Sequence, residues 1–172
     1  MSPAFPYAEL HALSNFSFLR GASHPAELVM QAHALGYRAL ALTDECSLAG
    51  VVRAYEALRE LPAESSFKLI IGAEFQLSGG EKLVLLAPSQ AAYAQICQLI
   101  TLGRRRSPKG EYCLTRADFE ANLDQCLALW VLPRVPAHEQ AVCVSSSPRA
   151  PGWHSSCTAP PTTVHGCTGL CS

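Results

Sequence analysis

Glu9 to Ser23 reads ELHALSNFSFLRGAS, a short apolar strand running into a polar turn that carries His11, Ser14, Asn15, Ser17 and Arg20 and closes on Gly21. A strand end that delivers polar side chains into a glycine-closed loop is how α/β proteins build sites. An ordinary helix-capping loop would have the same local appearance. The next two expected strands tip the reading toward a site, because they also end in acids, at Asp44 and Glu45 and again at Glu74.

From that stretch outward the chain alternates apolar runs of strand length with helical periods as far as Leu132, the pattern of βα units around a parallel sheet. A strand at about Ala8 to Leu13 precedes a helix with Ser23 as N-cap, Pro25 in its first turn and Gly36 as terminator. Arg38–Thr43 reads as the second strand, and Leu48–Leu61 as a helix stopped by Pro62. Phe67–Leu77 is a third strand in which Gly72 marks a bulge or a close backbone approach. Ser78-Gly79-Gly80 turns it into a fourth strand, Lys82–Ala87, as a hairpin. Ser89 caps a helix to about Leu102, Thr115 opens another to Leu123, and Cys126–Leu132 reads as one more strand.

Gly103 to Gly110, GRRRSPKG, is expected to be a basic loop, and Arg104, Arg105, Arg106 and Lys109 are candidate contacts to a phosphate backbone. A solvated charge run is the plainer account, since no aromatic residues interleave with the cations. The net charge of −1 gives no global field that would attract nucleic acid or an anionic membrane.

With 49% hydrophobic and 16% charged residues in 172, the chain has the composition of one globular domain. Its apolar runs are far below the ~20 residues of a membrane span. No basic-then-apolar leader opens the sequence, so the cytoplasm is expected. Cys46, Cys97, Cys113 and Cys126 sit singly in apolar or periodic segments and are expected to be reduced, buried thiols.

Beyond Pro133 the character changes. Eighteen of the 39 residues from Arg134 to Ser172 are Pro, Ser, Thr or Gly, and no helical or strand period survives, so this tail is expected to be irregular or disordered. Its Cys143, Cys157, Cys167 and Cys171, with His154 and His165, form no CxxC pair and make a poor zinc set. The domain division is therefore 1–133 and 134–172, the second part having the composition of a frameshifted terminus.

Four segments together, ELHALSNFSFLRGASHP (Glu9 to Pro25), ALTDECSLAG (Ala41 to Gly50), IIGAEF (Ile70 to Phe75) and LITLGRRRSPKGEY (Leu99 to Tyr112), resemble the PHP (polymerase and histidinol phosphatase) domain of bacterial C-family DNA polymerases. The likeness is closest to their error-prone branch and covers about Tyr7 to Pro133. It implies a distorted (β/α)7 barrel, of which this chain holds the first βα units only, with a metal cluster at the strand C-termini. In metal-binding relatives the first motif reads HxHSxxSxxDG and the second TDH. Here His11 and Glu74 match metal ligands, but Leu13 replaces the second histidine, Arg20 the aspartate and Glu45 the histidine of TDH beside Asp44.

Leucine cannot ligate, and a permanently charged guanidinium repels the cations such a site should hold. The expectation is a degenerate site of His11, Leu13, Arg20, Asp44, Glu45 and Glu74, with Arg20 bridging Glu45 and Glu74 through its fork of donors. No cofactor is expected, or at most a divalent metal held weakly by His11 and Glu74. The resemblance further implies a polymerase acting in DNA repair and translesion synthesis, with DNA and other mutasome or replisome proteins as partners and no membrane. Two-metal nucleotidyl transfer needs clustered acids, whereas the chain has only Asp44, Asp118 and Asp124 as aspartates, so a polymerase palm is not expected within it. A PHP-type phosphoesterase or 3′–5′ exonuclease, and a non-functional truncated product, are the alternative readings.

Overall fold

A computed structural model describes residues 7–120 and 123–132. The boundary at Pro133, the tail from Arg134 and its cysteines and histidines lie outside the described residues. Five strands and four helices follow in the order β1 (Ala8–Ala12), α1 (Pro25–Ala34), β2 (Ala39–Leu42), α2 (Val51–Glu60), β3 (Lys68–Gln76), β4 (Lys82–Leu86), α3 (Gln90–Arg105), α4 (Arg116–Glu120) and β5 (Leu127–Val131). The strands form one sheet in sequence order, curled into a half-barrel of mixed α/β type.

The sheet is not parallel throughout. β1, β2 and β3 run parallel, but β3 pairs antiparallel with β4 and β4 with β5. The reason is the tight turn after β3, where Leu77 N–H donates to the Glu81 carbonyl at 2.8 Å and Gly80 takes φ 87°. A turn this short can only send the next strand back.

One face of the sheet carries the helices. Val29 and Ala32 of α1 and Ala54 and Ala57 of α2 pack on Leu40 and Leu42, while Ala92, Ile96 and Leu99 of α3 pack on Ala73, Phe75 and Leu85. The opposite face shows Ala41, Ile70, Val84, Leu86, Leu129 and Val131. Gly72 marks a close approach, since a Cβ there would meet the Leu85 carbonyl oxygen at 2.5 Å.

Three local expectations are corrected. His24, not Ser23, is the N-cap of α1, because the Ser23 carbonyl accepts from Asn15 N–H at 2.9 Å and stays in the preceding loop. Glu27 reaches back to the His24 N–H at 2.8 Å. Second, α3 continues through Gly103, Arg104 and Arg105, so the basic segment is half helix. Gly103 does not break the helix but forms a notch in it, where a Cβ would meet Leu114 Cγ at 2.9 Å, and the two arginines sit at the negative end of the helix dipole. Third, all four described cysteines are free, but only Cys46 and Cys126 are buried; Cys97 is half-buried and Cys113 exposed.

Candidate functional site

β1 loses register with β2 between Glu9 and Ala12. An extra residue in a strand re-aims the side chains beyond it, and here Ala12 remains on the helix side while His11 meets Glu74. Both acids of the second strand end follow Thr43. An isolated parallel bridge joins Glu45 to Glu74, so the ends of β1, β2 and β3 converge on one rim.

The loop between β1 and α1 is folded around Asp44. The buried Asp44 carboxylate accepts from Ser14 N–H, Ser14 Oγ and Ser17 Oγ, each at 2.7 Å. Ser17 Oγ in turn accepts from Glu45 N–H at 2.9 Å, and its carbonyl accepts from both Arg20 N–H and Gly21 N–H at 3.0 Å. Leu19 is forced to φ 60°, and Gly21 lies so close to Ser14 that a Cβ would sit 1.9 Å from its carbonyl oxygen. From this loop Arg20 reaches back over the rim.

There its guanidinium bridges two carboxylates. Nη1 donates to Glu45 Oε2 at 2.7 Å and to Glu74 Oε1, and Nη2 donates to Glu74 Oε2 at 3.2 Å. His11 Nε2 lies 2.7 Å from Glu74 Oε2, and Lys82 Nζ lies 3.3 Å from Glu74 Oε1. Glu74 is 0% exposed, so an unpaired charge there would be costly. On the other flank Tyr112 donates its hydroxyl proton to Glu45 Oε1 at 2.9 Å while accepting from Gln76 N–H at 2.9 Å.

Electrostatics follow this wiring. Burial would raise the Glu74 carboxyl, but the hydrogen bonds from His11 and Arg20 and the charges of Arg20 and Lys82 outweigh it and hold the group at about 2. Glu74 is then an anion at neutral pH and can only accept, so His11 Nε2 carries the shared proton. The Glu74 hydrogen bond, reinforced by Glu45, holds Arg20 above its ordinary value against the effect of burial. Burial, with Glu45 beside it, raises the Tyr112 phenol.

His11, Arg20, Glu45 and Glu74 are therefore brought together, whereas Asp44 is turned into the Ser14–Ser17 loop and Leu13, half-buried, brings no donor. The donor set does not fit a divalent metal centre. Both Glu74 oxygens are already taken by cationic donors, and the guanidinium lies between the two acids that would be ligands. Among the described residues no group of three or more His, Cys, Asp or Glu side chains is placed to hold a metal ion.

The basic segment is less free than its sequence suggests. Arg104 donates to the carbonyls of Gly110, Glu111 and Cys46 and lies 5.3 Å from the Tyr112 ring centroid. Arg106 Nη1 donates to both carboxylate oxygens of Asp118, at 2.9 and 2.8 Å. Arg105 and Lys109 are exposed.

Sequence reasoning missed Lys82 and Tyr112. The hairpin itself contained a signal for Lys82, because Glu74 pairs with Val84 and a residue two places from the partner lies diagonally across the same face. Tyr112 arrives from 67 residues away on an irregular segment, and nothing local pointed to it.

The PHP domain family matches the chain over residues 9–145. The error-prone DNA polymerase of Methylococcus capsulatus is 60% identical over 134 residues, 77% of this chain and 12% of that protein. The error-prone DNA polymerase of Pseudomonas paraeruginosa is 59% identical over 125 residues, 73% of this chain and 12% of that protein. The chain thus spans about one eighth of the length of these relatives. A solved structure from Bifidobacterium adolescentis, assigned as a metal-dependent phosphoesterase, overlaps at a TM-score of 0.44 with 23% identity over 60% of this chain and 36% of that one. No helix of the described residues is long and apolar enough to cross a membrane.

Proposed function

The chain belongs to the PHP-domain family, and from that premise we propose that it is the N-terminal PHP portion of an error-prone DNA polymerase, serving in translesion synthesis as a structural and interaction module. The observation that carries this reading is Arg20 bridging Glu45 and Glu74 where the family resemblance leads one to expect ligands. A fixed cation supplies the charge compensation that a bound metal would give, without a water to activate. Such a cluster locks three strand ends together but offers no nucleophile and no Lewis acid of its own. A divalent ion, if offered, meets the part-exposed His11 but finds the Glu74 carboxylate buried and already paired, and is held weakly.

In the longer polymerase the module acts in the cytoplasm beside DNA and the other proteins of the repair assembly. Of the four cations near the end of α3, Arg105 and Lys109 keep their charge for a phosphate backbone. Arg104 and Arg106 hold the 106–118 segment in place and contribute field only.

A chimaera tests the reading. Residues 9–132 replace the corresponding part of the Methylococcus capsulatus polymerase, and primer extension is measured with and without millimolar chelation of transition metals at saturating magnesium. Retained, chelator-insensitive extension is expected. A folded chimaera that cannot extend a primer, or metal-dependent phosphoester hydrolysis by the isolated chain that vanishes with His11→Ala, would overturn it in favour of the phosphoesterase reading.

A further inference from the structure

The loop between β1 and α1 shows apolar side chains at a rim otherwise made of charged ones. Phe18 is 84% exposed, Leu19 89% and Phe16 44%. Single exposed apolar residues are ordinary on a protein surface, but three within four positions form a patch. Its backbone is anchored on both sides. Ser17 Oγ donates to Asp44 and accepts from Glu45 N–H, and Arg20 holds Glu45 and Glu74. Phe18 and Leu19, between these anchors, stand over the ends of β2 and β3. Each of those strands already has a neighbour on both sides, so strands that complete the sheet join at β1 or β5 and not beneath this loop.

The basic end of α3 belongs to the same rim. Arg20 reaches one Glu45 oxygen at 2.7 Å, Tyr112 reaches the other at 2.9 Å, and Arg104 lies 5.3 Å from the Tyr112 ring centroid. Arg105 follows Arg104, and Lys109 precedes Gly110, whose carbonyl accepts from Arg104 at 3.2 Å. Both Arg105 and Lys109 are exposed. The aromatic residues that the basic run lacks in sequence are thus supplied by the fold, from the first loop of the chain. Resting on the reading of the chain as part of a DNA polymerase, we infer that this rim binds single-stranded DNA, with Phe18 and Phe16 stacking on bases and Arg105 and Lys109 taking phosphates. Base faces in a duplex are hidden in the stack, so aromatic side chains on a loop select the unpaired strand. The exposed Glu111 offsets one of the two cations, which leaves stacking as the larger share of the attraction.

Fluorescence anisotropy of a labelled oligothymidine with the 172-residue chain tests this, against a duplex and an abasic strand of the same length. The wild type is expected to bind the oligothymidine about fivefold or more tighter than either. Phe18→Ser should remove that preference and leave the salt dependence unchanged, while Phe18→Trp keeps it. Arg105→Gln and Lys109→Gln should each lower the slope of log affinity against log salt by about 0.7. The abasic comparison needs no variant, so it decides even if Phe18→Ser fails to fold. No saturable binding, equal affinity for the abasic strand, or a folded Phe18→Ser chain that binds as the wild type does would overturn the inference. The Methylococcus capsulatus chimaera keeps the two readings apart. Primer extension by the chimaera with no preference for bases in the chain refutes this inference alone, and a preference for bases without extension refutes the polymerase reading alone.

Discussion

Arg20 and Glu74 lie 54 positions apart in sequence and share two hydrogen bonds in the fold, one from each terminal nitrogen of the guanidinium. Glu74 is fully buried, while the Arg20 side chain keeps 31% of its surface in water. The arginine is thus the solvent-facing cap of a buried anion. Removing it leaves His11 and Lys82 to compensate Glu74, so Arg20→Met should cost about 2 kcal/mol, below the ~3–5 typical of stranding a buried charge. Urea unfolding at pH 7 measures the loss, and a variant as stable as wild type would show that Arg20 is not needed to compensate the acid.

Stability should depend on Glu74 in acid. Its folded value is about 2 against an ordinary 4.5, so the unfolded chain binds the proton more readily. The contribution is fully present above about pH 4.5 and is lost as pH falls toward 2, with a slope of at most about 1.4 kcal/mol per pH unit from this group. Unfolding free energies between pH 6 and 3 should fall for the wild type, and the fall should be shallower in Glu74→Gln. Equal slopes would assign the acid response to other carboxylates.

Metal affinity should be recoverable. Leu13→His with Arg20→Asp removes the guanidinium and adds two donors beside His11 and Glu74, and zinc binding followed against a chelating dye should tighten about tenfold or more over wild type. Arg20→Asp without the Leu13 change should gain less. If neither variant tightens binding, the geometry of the rim, and not the identity of its donors, excludes the ion.

The loop that carries Arg20 should favour glycine at two nearby positions. Leu19, 89% exposed and at φ 60°, pays for a left-handed backbone with no packing in return, so Leu19→Gly should stabilise by about 0.5 kcal/mol after the entropic cost of glycine. Gly21→Ala forces a methyl group against the Ser14 carbonyl and should destabilise by about 3 kcal/mol or more. Thermal midpoints of the two variants check both signs.

Much of the fold was legible because its signals are local. Alternation, caps and the Ser78–Gly80 turn located the strands and helices, and Asp44, Glu45 and Glu74 could be read as strand ends from the punctuation around them. Gly103 misled because a glycine that breaks a helix and one that admits Leu114 look alike in sequence. The basic run misled for a similar reason: that Arg106 answers Asp118 and Arg104 the carbonyls of a returning segment depends on where α3 ends.

By itself the sequence determined which residues are available at the rim: a histidine, three acids, an arginine, and no ligand at Leu13. Only the tertiary structure decided how they divide. The register slip in β1 turns His11 toward Glu74, the serines claim Asp44, and the loop closed on Gly21 sends Arg20 to the remaining two acids. Hydrogen bonds and charge act over a few ångströms, so partners 25 to 67 residues apart are chosen by the folded backbone and by nothing in the local sequence.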